Sequence, residues 1–143
     1  MEISFTVPGE PVGKGRPRVT RRGAFTPDKT RHYERLVRYI YTEKYGEFSF
    51  PAGDPLVLVV NAYFAIPKSA NKKKHALMVA GTLRPTKTPD FDNIGKIVSD
   101  GLQGVAYPND SQIVTGVVHK FYSAEPRVEV ILMEDEHIEE VKT

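Results

Sequence analysis

Ile3, Phe5 and Val7 alternate with polar residues and run into Pro8-Gly9, the pattern of a half-buried strand closed by a turn. From Pro11 to Pro27 the density of Gly, Pro and Arg predicts an extended, irregular loop. Asp28 and Thr30 suit a helix cap, and Tyr33, Leu36, Val37, Ile40 and Tyr41 then recur at helical spacing, predicting about four turns that end near Gly46. Leu56 to Phe64 is an apolar, β-branched run between Pro55 and Pro67, the mark of a buried strand. Lys68 to Gly81 reads as a basic loop or short helix. A second long helix is predicted from Asp92 to Gly104, with Asp92 or Asn93 at its cap and Ile94, Ile97, Val98 and Leu102 on one face. Beyond Pro108-Asn109-Asp110, the stretches Ile113 to Tyr122 and Arg127 to Met133 predict two strands, paired as a hairpin across Ala124 to Pro126. The acidic end from Glu134 onward is expected to be a frayed helix or tail.

Together these elements fill one domain: 143 residues suffice for a single core and are too few for two ordinary ones. The longest apolar stretch, Leu56 to Val60, is strand-sized, so no membrane span is expected, and no signal-peptide segment is evident. The simplest expectation is a soluble protein of the cytoplasm. The absence of cysteine excludes disulfides, thiolate zinc sites and cysteine nucleophiles, and leaves an all-oxygen metal site open.

Charge changes the picture once it is divided along the chain. The net charge is +2, but the last ten residues carry −4, so the first 133 carry +6. Lys14, Arg16, Arg18, Arg21, Arg22, Lys29 and Arg31 face a lone Asp28 within one short segment, the footprint of a polyanion-binding surface. A solvated face is the plainer reading of such a run. The same two readings apply to Lys72, Lys73 and Lys74, a solvated face or a hold on phosphate.

Asp90 and Asp92 sit two apart just before the second helix, where an extended backbone would point both side chains the same way. Asp110 arrives from a separate turn. Three such carboxylates suit a hard divalent cation, Mg²⁺ foremost with Mn²⁺ as a substitute, its shell completed by water and substrate oxygens. On a basic protein that arrangement fits phosphodiester hydrolysis, in which a metal neutralises developing charge and acidifies the attacking water. Lys96, four residues after Asp92, lies one turn along the same helical face, where an ammonium would stabilise the transition-state or leaving-group oxygen. Each residue taken singly has a plainer role: Asp92, Lys96 and Asp100 as a surface charge ladder, Asp90 and Asp92 as caps, Asp110 as a turn residue.

Pro89-Asp90-Phe91-Asp92-Asn93-Ile94-Gly95-Lys96, followed by Asp100-Gly101-Leu102 and Asn109-Asp110-Ser111-Gln112-Ile113, resembles the signature of RusA-like Holliday junction resolvases. The segment Lys14-Gly15-Arg16-Pro17-Arg18 after the first strand is similar to that family's N-terminal segment. The resemblance implies an α+β fold, one domain with a mixed β-sheet packed against about two main helices. It implies Asp90, Asp92 and Asp110 as metal-site carboxylates and Lys96 as an essential lysine. It further implies a Mg²⁺-dependent homodimer that makes paired, symmetric nicks in four-way DNA, of bacterial, phage or prophage origin. The sequence departs from the family at Asn109, where a second acidic residue is common. Phosphate contacts are expected from Lys14, Arg16, Arg18, Arg21, Arg22 and Lys72 to Lys74. Phe25, His32 and Tyr33 would stack on bases only if exposed.

Three other readings compete: a Mg²⁺ nuclease acting on flaps, forks or single strands, a DNA-binding protein without catalysis, and a polyanion-binding module indifferent to branching. Metal-dependent cleavage separates the first from the other two.

Overall fold

The predicted first strand forms as β1, Glu2–Pro8, in a computed structural model that describes residues 1–136. Its inward residues Ile3, Phe5 and Val7 are buried while their neighbours face solvent. The apolar run becomes β4, Leu56–Ala65, and the two C-terminal stretches become β5, Ile113–Ser123, and β6, Arg127–Glu134. These strands make one mixed sheet in the order β1-β6-β4-β5, antiparallel except for the β4/β5 pair.

The two C-terminal strands do not form the expected hairpin, because β4 lies between them. The link from Ser123 to Arg127 passes the end of β4, where Ala65 pairs with Ser123 on one side and Tyr63 with Arg127 on the other. Two strand spacings are about 9.6 Å, within the reach of so short a link. Arg127 fastens it, donating to Ser123 Oγ at 3.0 Å and to the Glu125 carbonyl at 2.9 Å. The apolar β4 thereby gains a ladder on both sides, the central position its composition favours.

Two helices cover one face of the sheet: α1, Asp28–Tyr45, and α3, Phe91–Leu102. Tyr33, Val37 and Tyr41 of α1 and Ile94, Ile97, Val98 and Leu102 of α3 join Ile3, Phe5, Val60, Phe64, Val130 and Leu132 in one core. Each fully buried aliphatic side chain contributes about 1.5–3 kcal/mol, so the face of α3 alone fixes that helix firmly. Gly101 lets the helices meet: a Cβ there would lie 3.0 Å from Val37 Cβ.

Boundaries differ in informative ways. The first helix begins at Asp28 with Pro27 as its N-cap, and its 18 residues make about five turns rather than four. The predicted irregular loop contains a short exposed hairpin, β2, Arg18–Thr20, and β3, Gly23–Phe25, joined across Arg21 and Arg22. Lys68 to Gly81 holds a helix, α2, Lys72–Val79, capped by the Asn71 side chain and packed against β5. Glu134 ends β6 rather than opening a tail, the Asp135 N–H donates to the Pro55 carbonyl at 2.9 Å, and the part of the predicted tail from residue 137 lies outside the described residues. Among the described residues no helix is long and apolar enough to cross a membrane.

Candidate active site

The second predicted helix starts one residue earlier than its pattern suggested, and that shift decides where the aspartates stand. Asp90 is the N-cap of α3, in extended conformation, and Asp92 lies within the first helical turn. The extended geometry expected to align the two therefore does not hold for Asp92. The Asp90 side chain makes no capping hydrogen bond, so its carboxylate is free of the duty that a cap aspartate normally has. Both residues are exposed.

Asp110 arrives on a single 3₁₀ turn, Asp110–Gln112, between α3 and β5. Here the cap is Asn109, whose side chain accepts from the Ser111 N–H at 3.0 Å, while Gln112 accepts from the Asn109 N–H at 3.2 Å. Asn109 thus performs the turn duty and leaves the Asp110 carboxylate unengaged by it. Three further contacts locate that turn. Tyr107, fully buried, donates to the Ser99 carbonyl at 2.7 Å. The Asp110 N–H donates to Gln103 Oε1 at 2.9 Å. Gln112 Nε2 donates to the carbonyls of Pro51 and Asp54 at 2.9 and 3.1 Å.

Lys96 bridges these two pieces. Its Nζ lies 3.0 Å from Asp100 Oδ1 and 3.4 Å from Asp110 Oδ2. The expected pairing with Asp92 is absent, so the ladder reading holds only for its second rung. Asp100 Oδ2 is in turn 3.0 Å from Lys14 Nζ, which is 2.9 Å from Glu34 Oε2. The result is an alternating chain, Glu34, Lys14, Asp100, Lys96, Asp110, running from α1 through the N-terminal loop to the 3₁₀ turn. Hydrogen bonding to Asp100 is the largest influence on Lys96, and with the attraction of Asp110 it overcomes partial burial and raises the lysine's pKa. For Lys14 burial is the largest influence and works against the charge, but Glu34 and Asp100 together outweigh it and raise the pKa.

Lys14 therefore stands apart from the other loop cations expected to meet phosphate: it is only 24% exposed and turned inward. Its N–H also donates to the Asn93 carbonyl at 2.9 Å, and a Cβ at Gly13 would lie 2.7 Å from Pro89 Cβ, just ahead of α3, and 3.1 Å from Asn93 Cβ within it. Arg16, Arg18, Arg21 and Arg22 are exposed, the last three on or beside the hairpin. Lys72, Lys73 and Lys74 are exposed on α2. Of the aromatic residues, Phe25 and His32 face solvent, whereas Tyr33 is buried and cannot stack on a base.

A groove of about 260 Å³ opens between α3 and β5, with Lys96 and Asp110 at its rim and Gly95, Gly116 and Val118 among its walls. Among the described residues no three acidic or histidine side chains are gathered closely enough to form a cation cage. The donor chemistry nevertheless fits a hard cation: Asp90 makes no capping hydrogen bond, Asp92 stands in the first turn of α3, Asn109 rather than Asp110 caps the 3₁₀ turn, and all three offer carboxylate oxygens. Sequence reasoning missed Glu34, Asp100 as a bridge, and Gln103. The Asn109 to Gln112 capping box was legible, since Asn followed three residues later by Gln is its signature.

A family model described as "Endodeoxyribonuclease RusA" matches residues 8–133. The chain is also similar to a Bacillus subtilis (strain 168) protein, "Uncharacterized protein YqaN", with 41% identity over 138 residues, covering 92% of this chain and 96% of that one.

Proposed function

The chain belongs to the RusA endodeoxyribonuclease family, and from that premise we propose that it is a metal-dependent nuclease resolving four-way DNA junctions by paired symmetric nicks. The observation that carries the reading is that Asp110 and Asp90 hold no capping role while Lys96 stands beside Asp110, a constellation for which the fold alone gives no need.

Asp90, Asp92 and Asp110 would hold Mg²⁺, with Mn²⁺ as a substitute. Once bound there, the cation would neutralise charge on the scissile phosphate and acidify a water molecule. Lys96 keeps its ammonium through its hold on Asp100, so it presents a fixed positive charge to the developing oxyanion. The exposed arginines of the loop and hairpin, Arg16, Arg18, Arg21 and Arg22, with Lys72 to Lys74, supply phosphate contacts that position rather than specify. Two cuts related by two-fold symmetry call for two such sites, which an isologous homodimer provides.

The test is cleavage of an immobile synthetic junction beside a linear duplex and a flap of matched sequence, with and without Mg²⁺. Paired nicks confined to the junction and dependent on metal are expected. Cuts in all three substrates would make it a general nuclease, and binding without cutting would leave a DNA-binding protein.

A further inference from the structure

Three cations outside the segments just described flank the outer edge of β5, Lys87 and Lys120 over one ring and Arg84 over another. Lys120 stands on that strand, and Arg84 and Lys87 on the loop that leads through a cis Thr88-Pro89 peptide to Asp90. Lys120 Nζ donates to the Lys87 carbonyl at 2.6 Å, and Arg84 Nε donates to the Lys120 carbonyl at 2.9 Å. The ammonium groups of Lys87 and Lys120 lie 5.8 and 5.2 Å from the centre of the same Phe64 ring. The Arg84 guanidinium lies 4.4 Å from the centre of Phe121. The stems cover apolar rings while the charged ends remain at the surface.

Fastening a loop to a strand needs hydrogen-bond donors, which uncharged side chains supply. It does not need three full positive charges. Among the described residues no carboxylate forms an ion pair with Arg84, Lys87 or Lys120, in contrast to Lys14 and Lys96, each of which has two. The like charges of Lys87 and Lys120 over one ring repel one another, and an anion placed beside them turns that repulsion into attraction, with Arg84 at the same strand edge over Phe121.

We infer that Arg84, Lys87 and Lys120 form a seat for backbone phosphates of the DNA strand that enters the aspartates, resting on the reading that the chain acts on DNA. Lys87 is three residues from Asp90, at most about 11 Å of chain. A strand with one phosphate at the carboxylates therefore has its neighbours within reach of the seat. On the other side of α3 the loop through Gly13 and Lys14 leads to the arginines of the hairpin. The aspartates thus lie between two basic segments, one of which carries no run of basic residues in the sequence.

The experiment measures affinity for a four-way junction without divalent metal across a salt series, for the native chain and for Lys87→Gln, Lys120→Gln and Arg84→Gln. Glutamine keeps a donor for the loop and removes the charge. Each variant is expected to weaken binding several-fold, with the slope of log affinity against log salt falling by about one unit per cation removed. Lys44→Gln, beside β1 at the opposite edge of the sheet, should leave that slope unchanged. Unchanged slopes in the three edge variants, or a native chain that binds no DNA, would overturn the seat. The expected slopes from a chain that never nicks the junction would uphold the seat and sink the nuclease reading alone.

Discussion

Lys14 Nζ lies 3.0 Å from Asp100 Oδ2, tying the N-terminal loop to the helix that carries Lys96. One carboxylate thereby holds two lysines, since Asp100 Oδ1 is 3.0 Å from Lys96 Nζ. Without Lys14, Asp100 is left to Lys96 alone and draws that ammonium away from Asp110. Lys14→Met should slow junction cleavage by about 10-fold, equivalent to about 1.4 kcal/mol of barrier. Metal-free affinity for the junction should stay within about 2-fold of native. Single-turnover cleavage beside fluorescence anisotropy separates the two quantities, and a parallel loss of affinity would make Lys14 a phosphate contact instead.

The same residue predicts a pH dependence of stability. The Lys14 pKa is raised in the fold, so its contribution is fully present below its unfolded value, near 10.5, and is lost as pH rises through the higher folded value. The melting-temperature gap between the native chain and Lys14→Met should hold steady from about pH 7 to pH 9 and close only in more alkaline solution. A gap that closes near neutrality would show that the ion pairs are not its source.

Asp90→Asn, Asp92→Asn and Asp110→Asn should each lower cleavage by about 100-fold or more, since each removes a hard oxygen donor of the proposed cation site. Junction affinity should be retained or improved, because a negative charge is lost from a surface that meets phosphate. Retained cleavage in the Asp92 variant would remove that residue from the site. Lys96→Ala should reduce turnover more than binding, and an equal loss in both would recast it as a phosphate anchor.

Gly101→Ala tests the contact between the helices. A Cβ there would meet Val37 Cβ at 3.0 Å and the Glu34 carbonyl oxygen at 3.2 Å, forcing α1 and α3 apart at a cost of about 1–3 kcal/mol. Urea unfolding reads the loss directly. Val37→Ala removes the Cγ1 that this Cβ would meet at 3.1 Å, so the double variant should lose less than the sum of the two single losses, and a fully additive double variant would place the strain elsewhere.

Much of this architecture was legible because hydrophobic period and burial coincide. Ile3, Phe5 and Val7 alternate and are buried, and Ile94, Ile97, Val98 and Leu102 follow the helical period and are buried. What failed were features that local pattern does not encode. Two adjacent β-rich stretches look alike whether they pair with each other or admit a third strand between them, and only the strongly apolar β4 hinted that it needed two neighbours. The hairpin of Arg18 to Phe25 is exposed throughout, so no burial pattern announced it. In the candidate site Asp90, Asp92, Lys96 and Asp110 could be singled out by type and spacing. The fate of Lys14 could not, because an inward-turned lysine differs from a solvated one only in its distant partners, Glu34 and Asp100. Arg84, Lys87 and Lys120 are invisible for the same reason: each is an isolated cation until the loop and β5 are brought side by side.

The strand order also sets a schedule for the ribosome. Among the described residues β1, the earliest strand of the sheet, pairs with β6 alone, and β6 is the latest strand to be made. Until residues 127–134 have left the exit tunnel, β1 lacks its neighbour and β4 lacks one of its two ladders. Closure of the sheet waits on contacts of very long sequence separation, which form slowly. A nascent chain thus carries Asp90, Asp92 and Asp110 outside the tunnel while the platform beneath them is incomplete, and whatever chemistry they perform begins only after residues 127–134 have emerged.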